Sequence, residues 1–127
     1  MKKAFSTAWK ASKKPRKQRK YLANAPAHIK NKLMGAHLSK ELKGKHTKRT
    51  ATVKTGDKAK VLRGQFKGKS GKVERVDIKK SKVYITGVEF SKKDGSKAMY
   101  PIHASNIIIE ELNMTDKKRI KKGENKN

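Results

Sequence analysis

Apolar residues follow two regimes along the chain. Up to position 50 they are sparse, and Ile29, Leu33, Met34, Leu38 and Leu42 make a thin stripe closer to helical than to strand spacing. Such a stripe can dock short helices on a surface but cannot build a core of its own. Helix start signals fall in the same stretch. Ser12 can cap a helix with Pro15 in its first turn. Asn24-Ala25-Pro26 opens a second helix over His28, Ile29, Lys32 and Leu33, which Gly35 stops. Ser39 can cap a third, with Glu41 suited to the helix dipole.

From Ala51 the period becomes two. Ala59 and Val61 alternate with Lys58, Lys60 and Leu62. Val73, Val76 and Ile78 predict a second strand, and the step from 73 to 76 breaks alternation, which predicts a bulge. Val83, Ile85 and Gly87 share one face of a third strand, with Tyr84, Thr86, Val88 and Phe90 on the other. Asp94-Gly95 is a hairpin turn signal. Ala98 to Ile102 returns as a fourth strand, kept to an edge by Pro101. Ile107, Ile108, Ile109 and Leu112 make a fifth, on which Glu110 and Glu111 keep an edge soluble. Short strands at this spacing predict a mostly β fold, a small barrel or sandwich. Phe90 and Tyr84 are expected in its core, while Phe66, at a loop tip, can be core or a solvent-facing anchor for RNA, its loop placement slightly favouring contact.

Charge changes the picture. The 127 residues carry 36 Lys+Arg against 10 Asp+Glu, a formal net charge of +26, while only 33% are hydrophobic and seven are Phe, Tyr or Trp. A chain of this length buries ~65–70% of its unfolded surface when it folds throughout. The apolar content falls short of that, so part of the chain is expected to fold only on a partner. Self-repulsion at +26 is relieved by phosphate, so the partner is expected to be a polyanion, nucleic acid first and an anionic membrane second. Cysteine is absent, which excludes disulfides, Cys-based zinc sites and thiol catalysis. Met1-Lys2-Lys3 is followed by no continuous apolar run, so no signal peptide is expected, and no segment approaches the length of a membrane span. A soluble, intracellular protein is expected.

The charge divides the chain into three. Residues 1–50 carry +15 with one acid, Glu41; residues 51–115 carry +7; residues 116–127 carry +4. We read these as a basic arm of short helices, a globular β domain that folds without the arm, and a disordered charged tail. Lys13 to Lys20 holds six cations in eight positions (Lys13, Lys14, Arg16, Lys17, Arg19, Lys20) with Tyr21 directly after, the footprint of an RNA contact. His28, His37 and His46 recur every nine residues, but without Cys or nearby carboxylates they make a poor metal set. Base stacking or donation to phosphate suits them better. Trp9 can stack on a base, pack on a neighbour or stay unanchored.

The densest motif lies between the first two strands. Gly64, Gly68 and Gly71 are interleaved with Lys67, Lys69 and Lys72, and Arg63 precedes them. The glycines predict a tight loop with positive φ and exposed amides, which with the ammonium groups suits phosphate oxygens. A nucleotide P-loop is excluded, because Arg63 stands where its first glycine would be and no helix follows. Gly56-Asp57, Arg63-Gly64, Phe66-Lys67-Gly68, Gly71-Lys72-Val73 and Val76 resemble a KOW motif. Asn24-Ala25-Pro26, His28, Lys32-Leu33-Met34, Ala36 to Leu42, Tyr84 to Val88 and Pro101-Ile102-His103 extend the resemblance across residues 13–112. Together they resemble the large-ribosomal-subunit protein family numbered twenty-four in universal nomenclature and twenty-six in eukaryotes, in its archaeal and eukaryotic form. The family usually has proline at position 104, where this chain has Ala104, which loosens the turn between the fourth and fifth strands. Residues 1–12 and those after Leu112 match nothing in the resemblance.

The resemblance implies an SH3-like barrel that binds the 5′ region of large-subunit rRNA near the peptide exit tunnel. It also implies neighbouring ribosomal proteins as partners, support of subunit assembly, and neither catalysis nor a cofactor. The candidate rRNA contacts are the six arm cations, Tyr21, His28, Lys32, His37, Lys48, Arg49, Arg63, Lys67, Lys69 and Lys72, positioned by the motif glycines Gly56, Gly64, Gly68 and Gly71. A KOW-type transcription elongation factor would sit in a longer chain and need no arm of +15. A DNA-compacting protein would need a dimerisation face. An RNA-processing enzyme would need a nucleophile–base set, and Glu110 and Glu111, adjacent on one strand, point to opposite faces.

Overall fold

The computed structural model describes residues 5–6, 8 and 11–115. Trp9 and the tail from residue 116 lie outside them. In chain order the elements are α1 (Pro15–Asn24), α2 (Ala27–Lys32), β1 (Gly35–Leu38), α3 (Lys40–His46), β2 (Thr50–Thr52), β3 (Lys58–Val61), β4 (Ser70–Asp77), β5 (Lys82–Ile85), β6 (Glu89–Ser91), β7 (Lys97–Met99), β8 (Ile102–His103) and β9 (Ile107–Glu111). The fold is mostly β, with three short helices among the described residues. Seven strands pair in the order β2-β1-β9-β3-β4-β5-β8, and β6 and β7 form a separate hairpin. The ladder has two ends, β2 and β8, and does not close into a barrel.

The helices follow their local chemistry. Pro15 starts α1, but the cap position is Lys14; Ser12 lies further out, its Oγ accepting from the Lys14 N–H at 3.4 Å. Pro26 precedes α2 as expected. Ser39 caps α3 by accepting from the Leu42 N–H, Glu41 sits in the first turn, and Thr47 ends the helix with φ 52°.

Between α2 and α3 the chain does what helical spacing hides. Gly35 does not merely stop a helix; it begins β1, which pairs antiparallel with β2 and parallel with β9. Met34, Ala36 and Leu38 are fully buried there beside Ile107 and Ile109. Burying Met34 and Leu38 contributes about 1.5–3 kcal/mol each. That is a large share of the ~5–15 kcal/mol by which a domain is stable.

The expected bulge in β4 is present. Its register with β5 jumps from Val73↔Ile85 to Arg75↔Tyr84, leaving Glu74 as the extra residue. Alternation along β3 buries Ala59 and Val61 and exposes Lys58 and Lys60. The expected third strand is broken at Thr86–Gly87, where Gly87 takes φ +89° and the Val88 N–H closes the turn on Ile85 O at 3.1 Å. The fourth is broken at Tyr100–Pro101, since proline has no N–H for a ladder. Its second half, β8, is the sheet edge. The fifth, β9, is not an edge: it lies between β1 and β3, so Glu110 and Glu111 do not guard an open ladder. Glu110 is instead the extra residue of a second bulge, where Lys58↔Glu111 is followed by Ala59↔Ile109.

Two aromatic assignments reverse. Phe66 belongs to the buried core, whereas Phe90 is exposed on β6 and Tyr84 is half-buried under the Arg75 guanidinium, 4.1 Å from its ring centre. The turn at Ala104 is not loose either. Ala104 is buried, and His103 Nδ1 accepts from the Ser105 N–H at 3.2 Å, capping a short 3-10 turn over Ala104–Asn106.

Candidate nucleic-acid interface

The β3–β4 loop is built on glycine conformations. Gly64 and Gly68 hold φ +97° and +92°, inside the left-handed region that side chains rarely adopt. Gly71 is needed for a different reason. It lies in β4 against β5, where a Cβ would run into the Thr86 carbonyl oxygen and come 3.1 Å from Ile85 Cγ2. Gly56 turns the chain into β3 at φ +90°.

Three loop amides are not available to phosphate. The N–H groups of Lys67, Gly68 and Lys69 donate to Gly64 O, Val61 O and Phe66 O at 3.2, 2.9 and 3.1 Å. At these three positions only the side chains remain to offer an anion. Phe66 plugs the core and pins the loop, Lys69 holds its ammonium 5.1 Å from that ring's centre, and Arg63, Lys67 and Lys69 are exposed.

The loop cations continue onto the outer face of the sheet. Lys72 on β4 sits directly opposite Lys58 on β3, and both are exposed. Opposed like charges destabilise a pair of strands, and a phosphate between them removes that cost. Glu111 on β9 reaches Lys58 Nζ only at 3.8 Å, in an exposed ion pair. Lys58 and Lys60 escaped the sequence-level site although strict alternation of β3 signals both.

A second group gathers around β1. His37 is exposed and paired with Thr50, and the Arg49 carbonyl accepts from the Leu38 N–H at 2.9 Å. His37 thus projects from β1 and Arg49 from the bend just before β2, with Lys48, half-buried, preceding it in sequence. His46 does not belong to this surface: it is buried at the end of α3.

The arm forms the third group. Lys13 and Lys14 precede α1, which carries Arg16, Lys17, Arg19 and Lys20, all exposed. Tyr21 is half-buried against Phe5, with ring centres 4.9 Å apart. His28 and Lys32 are exposed on α2. The fold adds partners that lie far away in sequence. Arg19 and Lys30 line a groove together with Lys79 and Lys80 of the β4–β5 turn, over a floor that includes Leu22 and Leu33. Only the tertiary fold brings this set together.

Among the described residues no three His, Asp or Glu side chains cluster closely enough to hold a metal ion, and no helix is long and apolar enough to cross a membrane. A family model that describes ribosomal protein L26 of eukaryotes and its archaeal counterpart, L24, matches residues 12–126, including the stretch after Leu112 that the resemblance left unplaced.

Proposed function

The chain belongs to the family of eukaryotic ribosomal protein L26 and its archaeal counterpart, L24, and from that premise we propose that it is a structural constituent of the large ribosomal subunit. In this reading it binds the 5′ region of large-subunit rRNA near the peptide exit tunnel, beside other ribosomal proteins. It supports subunit assembly in the cytoplasm and catalyses nothing. The family match over residues 12–126 carries the reading. The surface supports it: exposed cations on α1, at Arg49 just before β2, and on the β3–β4 loop and outer face supply the positive charge that rRNA phosphates neutralise.

Within that reading the three parts have separate tasks. The arm cations Lys13 to Lys20 contact phosphate, with Tyr21, His28 and Lys32 alongside. The sheet presents His37, Lys48, Arg49, Arg63, Lys67, Lys69 and Lys72. The tail from residue 116 adds charge. The test is sedimentation of the native protein in moderate salt. Recovery with large subunits is expected; recovery with RNA polymerase or with bulk DNA instead would overturn the reading.

A further inference from the structure

Tyr100 links the β6–β7 hairpin to the β3–β4 loop. Its ring centre lies 4.9 Å from that of Phe66 and 6.0 Å from that of Phe90, the latter edge-on at 88°. Phe66 is anchored in the core at 7% exposure, but Tyr100 keeps 38% and Phe90 41%. Among the described residues, two aromatic rings in contact with each other are thus open to water. Isolated exposed rings need no explanation, whereas a joined, core-anchored set marks a contact surface.

Tyr100 also walls a pocket of about 190 Å³. Arg63, Gln65, Lys82 and Asn106 surround it, Pro101 continues the wall, and no acidic residue lines it. A helix, ~10–12 Å across, is too large for such a space; a single flat heterocycle is not. The wall is preorganised. The Tyr100 N–H donates to Val88 O at 3.0 Å, and Pro101 restricts the backbone of the residue before it. A guest therefore meets a ring whose ordering cost is already met by the fold.

We propose that this pocket receives one unpaired RNA base, stacked on Tyr100, with Arg63 and Lys82 at the flanking phosphates. Gln65 and Asn106 carry amides, which both donate and accept and so match the edge of a base. The cationic, acid-free rim favours a nucleotide over an apolar side chain of a neighbouring protein. The proposal rests on the rRNA-binding reading and adds a base-specific element to its phosphate contacts.

The test titrates the full chain against a transcript of the 5′ region of large-subunit rRNA at several salt concentrations. The proteins are unmodified, Tyr100→Phe, Tyr100→Leu and Gln65→Ala. Removing one base stack weakens single-strand binding about 5-fold to 150-fold. Tyr100→Leu is expected to lose at least about 5-fold with its salt slope unchanged, because no phosphate contact is removed. Tyr100→Phe is expected to bind as the unmodified protein does. Gln65 is exposed in the loop, so Gln65→Ala decides the matter if Tyr100→Leu melts; it too is expected to weaken binding at constant slope. Unchanged affinity in both Tyr100→Leu and Gln65→Ala overturns the base pocket and leaves the rRNA reading standing. Normal RNA affinity of Tyr100→Leu with poor retention on large subunits assigns the pocket to a neighbouring protein and overturns the base pocket as well. Failure of the unmodified protein to bind the transcript overturns the rRNA reading itself.

Discussion

The Asp57 carboxylate holds the end of the last strand to the start of β3: its Oδ1 accepts from the Asn113 N–H at 2.8 Å, across 56 positions of sequence. Its Oδ2 accepts from the Lys54 N–H at 3.0 Å, and the side chain of Asn113 returns a bond to Thr55 O at 2.9 Å. Asp57 is completely buried. Asp57→Ala leaves these backbone donors without their carboxylate, and hydrogen bonds to a charged group contribute about 1.5–3 kcal/mol each. Urea unfolding is expected to show a loss of about 3 kcal/mol or more. Asp57→Asn keeps one acceptor oxygen and is expected to lose less. Equal stability of Asp57→Ala and the unmodified protein would refute this role.

Gly71 and Gly68 are expected to fail differently. At Gly71 any Cβ meets backbone, the Thr86 carbonyl, so β4 and β5 must separate locally. At Gly68 the space is open and only the positive φ penalises a side chain, about 1–2 kcal/mol. Gly71→Ala should therefore lower the melting temperature more than Gly68→Ala. Lys69→Ala, at an exposed position, should leave the melt nearly unchanged and weaken RNA binding. A Lys69→Ala variant that melts early with normal RNA binding would contradict this division.

Period-two patterning made β3, the β4 bulge and the hairpin at Asp94-Gly95 legible from sequence, because each rests on local residue types. It failed where tertiary packing decides. Gly35-Ala36-His37-Leu38 has four residues and lies between two helix signals, so nothing local marks it as a strand; its partners β2 and β9 define it. Phe66 and Phe90 exchanged places for a similar reason. A loop that folds back under the core and a strand that leaves the main sheet are both invisible to alternation. The cations of the site were legible as a composition, while the meeting of Arg19 and Lys30 with Lys79 and Lys80 was not.

The buried β1 turns into a truncation experiment. A fragment of residues 33–115 keeps Met34, Ala36 and Leu38 against Ile107 and Ile109; residues 51–115 lose them and open one edge of β9. The longer fragment is expected to melt cooperatively by circular dichroism. The shorter one should melt at lower temperature or associate through its exposed ladder. Identical melting curves would show that β1 merely decorates the domain.

Asp94 supplies a pH-dependent local element. The Ser96 hydroxyl donates to its Oδ1 at 2.7 Å and the Ser96 N–H at 3.0 Å, and these bonds hold its carboxyl below the ordinary aspartate value. Since the folded value is the lower one, the turn is favoured above the unfolded value and loses that support as pH falls through the folded one. NMR titration is expected to give Asp94 a depressed midpoint. Ser96→Ala removes the larger cause and should raise the midpoint part of the way, the backbone bond remaining. A midpoint indifferent to Ser96→Ala would exclude the hydroxyl as the cause.

Salt dependence separates the arm from the loop. Lys13, Lys14, Arg16, Lys17, Arg19 and Lys20 are exposed, and the nearest acid in sequence is Glu41. On a helix with 100° between residues, Arg16, Lys17, Arg19 and Lys20 spread over about 160° of arc. Each phosphate neutralised contributes ~0.7–0.9 to the slope of log affinity against log salt, so six engaged cations contribute ~4–5. Doubling the salt then weakens binding ~16–32-fold through the arm. The loop set, Arg63, Lys67, Lys69 and Lys72, has fewer cations, and Glu74 lies two residues from Lys72 on the same strand. Its slope should be smaller. Titration of a large-rRNA fragment with the six arm cations changed to Gln should therefore lose more slope than titration with the four loop cations changed to Gln. If the arm variant keeps the full slope, the arm is a solvated extension, and phosphate recognition belongs to the sheet and its loop.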